Sequence, residues 1–189
     1  MSGANLKTGN TFFRVCDQDR NMKDKLEKFG PLLGVFGFVL SSTIIISNLT
    51  ENTAMMEIGK IFMGMFFLTF GGFKAYNLEG FKEAFKSYDI LAERFDIYAT
   101  AYPFIELTLG ALYISLLFYS STGLEIFTHL AAITVMTVGG AGVLNELRKG
   151  KELQCACLGN VFNVPMTKVT LGEDLGMAAM ALWMLAALI

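Results

Sequence analysis

The sequence predicts an all-α fold, a polytopic bundle of membrane-spanning helices, and three observations carry that expectation. Of 189 residues, 53% are hydrophobic and only 17% charged, with a mean hydropathy of +0.50, which is not the composition of a soluble domain. Several runs are long enough and apolar enough to cross hydrocarbon, and only three prolines interrupt the chain. Lipid also demands that backbone polar groups be paired within helices or closed barrels, and the uncharged runs are of helical length. The same composition excludes a disordered chain, collagen and a disulfide-stapled module. A net charge of -2 offers no basic field, and no zinc-finger, Walker or dinucleotide fingerprint is present, so nucleic acid is not expected among the partners.

Residues 1–28 are polar and carry Lys7, Arg14, Arg20, Lys23, Lys25 and Lys28, so they read as a retained cytoplasmic tail and not as a cleavable signal peptide. The transmembrane domain is expected over 29–189. Its first span, 31–49, lies in an uncharged stretch from Phe29 to Thr50. The second, 53–75, draws Glu57 and Lys60 into its outer turns, where end charges can snorkel. Residues 77–96 alternate charged and apolar positions at helical spacing, with Leu78, Phe81, Phe85, Tyr88 and Leu91 on one face, as in an amphipathic connecting helix at the interface. The third span, 97–119, contains one internal charge, Glu106, and the fourth, 125–145, contains His129, the single histidine. The fifth, 170–189, is short in uncharged residues and borrows the turn from Thr170 to Asp174.

Lysine and arginine mark orientation, because cytoplasmic loops retain positive charge. Besides the tail, Lys74, Lys82, Lys86 and Arg94 fall in the second loop, and Arg148, Lys149, Lys151 and Lys168 in the fourth. The first and third loops hold none. Five spans then place the N-terminus in the cytoplasm, in a prokaryotic inner membrane, with the loop of Cys155 and Cys157 on the same side.

That loop holds the most specific chemical signal. In Gln154-Cys155-Ala156-Cys157-Leu158-Gly159, thiols at i and i+2 point to one side of an extended segment. Two extended residues reach about 6.6 to 7.2 Å, near the limit for a disulfide, so a bridge requires a bent backbone and is readily reduced. Nearby Arg148, Lys149 and Lys151 can favour the nucleophilic thiolate. The same thiolates suit a soft metal such as Cu(I), with Cys16 as a third ligand. Two small buried loop residues without chemistry are the alternative.

Glu106 is the second candidate, since an ionisable group deep in a span is expensive. Tyr98, Tyr102 and Glu106 follow i, i+4, i+8, and with Tyr113 form a polar stripe that can enter the bundle interior. Glu106 is a candidate proton acceptor for the thiols, or a carboxyl hydrogen-bonded to a neighbouring helix. Tyr88, Asp89, Asn145, Glu146 and Arg148 lie at the same edge as the cysteines and are supporting polar positions. His129 falls near the opposite end, where helix packing explains it.

Phe73-Lys74, Asn77-Leu78-Glu79-Gly80-Phe81, Phe85-x-x-Tyr88-Asp89, Tyr102-Pro103-x-x-Glu106-Leu107-x-x-Gly110 and Cys155-x-Cys157-x-Gly159 occur in that order. Together they resemble the MauE/DoxX-like redox-associated membrane proteins over about residues 55 to 189. The resemblance implies a four-helix core from spans two to five, with the first span as an N-terminal addition. It also implies disulfide chemistry in the maturation of a partner such as the periplasmic methylamine dehydrogenase subunit. Cys155 and Cys157 match its redox pair, and Asp89, Pro103 and Glu106 its polar core. Leu158 stands where phenylalanine is common.

The expected function is therefore thiol-disulfide exchange or electron transfer through the CxC pair, with a thioredoxin-like protein as partner and a quinone as one compatible cofactor. The rival readings are a soft-metal protein binding copper or mercury, partnered by a metallochaperone, and a noncatalytic assembly subunit.

Overall fold

A computed structural model describes residues 30–51, 54–119, 121–149 and 168–188. Every element among them is a helix: α1 (Gly30–Leu49), α2 (Met55–Tyr76), α3 (Leu78–Lys86), α4 (Ile90–Arg94), α5 (Asp96–Ser115), α6 (Thr122–Arg148) and α7 (Lys168–Leu188). Five of them, all but α3 and α4, are long and apolar enough to cross a membrane. The expected polytopic bundle is what the chain forms.

Two helix pairs make the core. α2 packs along α5, and α6 packs along α7. The first pair is drawn together by glycine. A Cβ on Gly64 would stand 2.7 Å from the Ile114 side chain, one on Gly110 would stand 2.9 Å from the Leu68 backbone nitrogen, and one on Gly71 would stand 3.2 Å from Glu106 Cβ. Without a hydrophobic drive between helices in lipid, such close backbone approach and the dispersion contacts it permits are what hold them. Met63, Phe66, Phe67 and Phe70 of α2 then join Leu109 and Tyr113 of α5, Leu116 just after it, Met136 of α6 and Met177 and Met184 of α7 in one buried cluster. α1 docks through Leu32, Val35 and Val39, and its Phe36 ring meets Phe66 and Phe70 edge-on at 6.1 and 5.9 Å. It ends at Leu49, with Glu51 in the left-handed region (φ 55) that closes helices.

The connecting segment is two helices, where the periodicity over 77–96 suggests one. Asn77 caps α3 by accepting from the Gly80 N–H, and the helix stops at Lys86. Asp89 then starts α4, its Oδ1 accepting from the Leu91 and Ala92 N–H groups at 2.9 and 2.8 Å. The break rotates the face: Phe81, Phe85 and Tyr88 are buried, whereas Leu91 is 42% exposed. Gly142 of α6 admits this turn, since a Cβ there would stand 3.2 Å from the Tyr88 carbonyl oxygen.

The contrast between tight and open glycines is testable by thermal melts in detergent. Gly110→Ala forces a methyl against the Leu68 backbone and is expected to cost about 1–3 kcal/mol, lowering the Tm. Gly72→Ala meets nothing within 4 Å and is expected to leave the Tm unchanged or raise it, as helix propensity favours alanine.

Candidate functional site

α2 presents Lys60, Met63, Phe67, Phe70 and Lys74 at intervals of three or four residues, so the two lysines share the stripe that carries the buried aromatic rings. Tyr102, Glu106, Leu109 and Tyr113 form the matching stripe of α5. Antiparallel packing across Gly71 sets Lys74 beside Glu106, and the Lys74 ammonium donates to Glu106 Oε1 in a buried ion pair. Glu106 is only 2% exposed. The ammonium also lies 5.0 Å from the Tyr102 ring centroid and 5.8 Å from that of Phe81, within cation–π range.

α7 completes the site. Its buried stripe of Met177, Ala181 and Met184 begins at Asp174, and Gly139 and Gly140 of α6 make room for that carboxylate. A Cβ on Gly139 would stand 3.2 Å from the Tyr102 hydroxyl and 4.0 Å from Asp174 Oδ2; one on Gly140 would stand 3.3 Å from Asp174 Cβ. Lys74, Tyr102, Glu106, Glu173 and Asp174 line a cavity of about 30 Å³, room for about one ordered water. Phe81, Phe85 and Tyr88 roof it, with Phe81 and Phe85 stacked at 4.9 Å and Phe85 at 4.6 Å from Tyr102. Glu106 Oε2 and Glu173 Oε1 are buried with no hydrogen-bond partner among the described residues. Three carboxyl groups thus face one ammonium, so the site has more acceptors than its own donors satisfy.

Of the residues singled out from sequence, Glu106, Tyr102, Tyr88 and Asp89 come together at this end of the bundle. Asn145 and Arg148 lie on the last turns of α6, with Arg148 exposed. Cys16, Cys155, Cys157 and the Glu146 side chain lie outside the described residues. Lys74, Glu173 and Asp174 are not among the candidates that the sequence singles out as site residues. Lys74 reads as a loop cation next to a hydrophobic run, and the two acids read as a turn, yet each occupies the buried register of its helix. That register was the available signal.

A second polar layer crosses the other end. Lys60 does not snorkel as its position near a span end suggests: it is 3% exposed and donates to Glu125 Oε1 at 2.7 Å and to Glu57 Oε1 at 3.0 Å, because α6 brings a carboxylate to it. His129, one turn beyond Glu125, is fully buried and its Nδ1 pairs with the Tyr113 hydroxyl at 3.0 Å. Lys60 and Lys74 are fourteen residues apart, about 21 Å along the helix axis. No group of three or more metal-ligating side chains occurs among the described residues.

This core, without α1, coincides with the residues matched by one family model, described as methylamine utilisation protein MauE, which spans residues 52–187. The chain belongs to the MauE family. No curated protein and no solved structure matches it. With five apolar helices it is a multi-pass membrane protein of a family named for methylamine utilisation, and the match leaves α1 outside the family unit.

Two predictions follow from the geometry. Lys74→Met or Glu106→Leu alone strands a buried charge and is expected to cost about 3–5 kcal/mol, while the double variant regains much of that loss in thermal melts. At Asp89, burial pushes the carboxyl above its ordinary value, against the opposing bonds from the Ala92 and Leu91 N–H groups. A raised folded value means that its contribution to stability is complete below the unfolded value and is lost as pH rises through the folded one. Asp89→Asn keeps a cap acceptor and is expected to remove this pH dependence, whereas Asp89→Ala removes it as well and also loses the cap, at a cost of about 1 kcal/mol.

Proposed function

We propose that this MauE-family protein is a membrane thiol-redox protein in which Cys155 and Cys157 exchange a disulfide with a partner protein, in keeping with a role in maturing that partner. One cysteine thiolate attacks a partner disulfide sulfur and expels a partner thiolate, forming a mixed disulfide. The second cysteine then attacks its neighbour and expels the other partner thiolate. The pair is oxidised by two electrons and the partner reduced by two; the reverse direction forms a disulfide in the partner. Each attacking thiol must first lose its proton, and each departing thiolate takes one up. Glu106 is the group assigned to that proton traffic.

The observation that supports this reading is the acceptor-rich site formed by Glu106, Lys74, Glu173 and Asp174 at the end of the bundle where α6 stops and α7 begins. The cysteines belong to the segment that joins those two helices. Val143 and Glu173, both lining the cavity, lie five residues inside Arg148 and Lys168, roughly 8 Å of helical rise from each end. A proton acceptor close to both attachments of a CxC segment suits thiol exchange. The distribution of lysine and arginine supports a cytoplasmic position for this end; a prokaryotic inner membrane and a thioredoxin-like partner complete the proposal.

The test is alkylation of the thiols in membranes equilibrated with glutathione buffers, followed by exchange with a disulfide-bonded thioredoxin-like protein. Cys155 and Cys157 are expected to titrate as one two-electron couple, lost in Cys155→Ser and in Cys157→Ser together with turnover. Glu106→Gln is expected to slow exchange by about 10²-fold or more without abolishing the couple. Unimpaired exchange in both cysteine variants overturns the proposal. Retention of Cu(I) only by the unsubstituted pair, without exchange, transfers the function to soft-metal binding.

A further inference from the structure

Beyond the cysteine chemistry, and without resting on it, we propose that the lipid-facing groove between α1, α2 and α7 binds an isoprenoid quinone, with the ring at Glu173 and the chain running toward Trp183. α1 touches α2 but leaves a channel between itself and α7. The inner part is a groove of about 470 Å³ walled by Phe36, Phe62 and Phe66 and floored by α7, and the outer part, about 570 Å³, runs on past Leu40 and Ile44 to Trp183. Phe62 and Met180 line both, so the two join. From Glu173 to Trp183 is about 15 Å along α7.

Three features select the occupant. The inner groove is a slot for a flat ring, because α7 offers Gly172 and Gly176 one turn apart opposite the three phenylalanines, and a Cβ on either would meet nothing within 4 Å. Its one polar contributor is Glu173, whose Oε1 is buried without a partner among the described residues. A carboxyl there accepts from a hydroxyl of the reduced ring and, when protonated, donates to a carbonyl of the oxidised ring. The outer groove is almost wholly apolar and takes a hydrocarbon chain. A phospholipid fills the outer part equally well, but its phosphate meets Glu173 at the inner end, where a carboxylate repels it. A neutral, hydrogen-bonding ring on a long chain fits both ends.

Trp183 is the single tryptophan of the sequence and reports on the chain. The full-length protein in phosphatidylcholine nanodiscs is titrated with a ubiquinone analogue whose decyl chain ends in bromine, which quenches indole on contact. Quenching is expected to saturate at a mole fraction at least tenfold below that needed with brominated phosphatidylcholine, and unbrominated ubiquinone is expected to reverse it. Gly172→Phe and Gly176→Phe, whose Cβ atoms meet nothing within 4 Å and whose rings occupy the slot, each raise the half-quenching concentration at least tenfold; Glu173→Leu raises it at least threefold. Both glycine variants are checked for monodisperse elution. A chain-free benzoquinone, which needs no variant, is expected not to compete. The same titration on the Cys155→Ser/Cys157→Ser chain is expected to be unchanged, which separates this inference from thiol exchange. Quenching that follows bulk mole fraction as brominated phosphatidylcholine does, or reversal by phosphatidylglycerol as effective as by ubiquinone, overturns it.

Discussion

An ammonium and a carboxylate buried together within a membrane bundle set the terms for everything around them. Either charge alone in hydrocarbon costs several kcal/mol, and Lys74 and Glu106 are tolerable only because α2 and α5 present them to each other at contact distance. Contact at that depth requires the helix backbones to approach closely, which Gly64, Gly71 and Gly110 permit. It also requires water and lipid headgroups to be kept out, which the Phe81 and Phe85 rings of α3 achieve. The small residues of α6 at 139, 140 and 142 serve the same end, admitting Asp174, Tyr102 and the turn at Asp89 where larger side chains would hold them apart.

Ion pairs at both ends give the bundle a layered character. Lys60 with Glu57 and Glu125 forms one layer, and Lys74 with Glu106 the other, with methionine and aromatic packing between. The layers are not equivalent. Two carboxylates hold Lys60, and their geometry resembles a clamp that registers α2 against α6. The Lys74 layer carries Glu173 and Asp174 in addition, leaves two carboxyl oxygens without partners among the described residues, and encloses a cavity. Surplus acceptors beside a cavity are a poor solution for stability alone, and an apolar core of equal volume would serve stability as well or better. Their retention supports the proposed site.

The periodicity of the chain had much to say about this protein, and its silences have physical causes. Five spans, the amphipathic character of 77–96 and the depth of Glu106 are properties of local composition, and they are legible because hydrocarbon thickness and helical rise leave little freedom. The CxC pair and the order of short motifs around Tyr102 and Glu106 pointed to the MauE family from residues alone. What local pattern misjudged were charges near helix ends. Lys60, Lys74, Glu173 and Asp174 sit where a side chain can turn either outward to the interface or inward to a partner, and only their register on the buried stripe of each helix marks the inward choice.

Sequence alone thus determined the class of fold, the number of apolar helices and the presence of an intramembrane carboxylate, because each depends on residues within one helix. Tertiary structure decided the identity of the carboxylate's partner, the recruitment of Glu173 and Asp174 from a helix about seventy residues further on, and the break at Asp89 that turns Leu91 outward. It also decided the groove left between α1 and α7. Those features depend on which helix faces which, and at what height, and that is set by glycine contacts and charge pairing across the bundle.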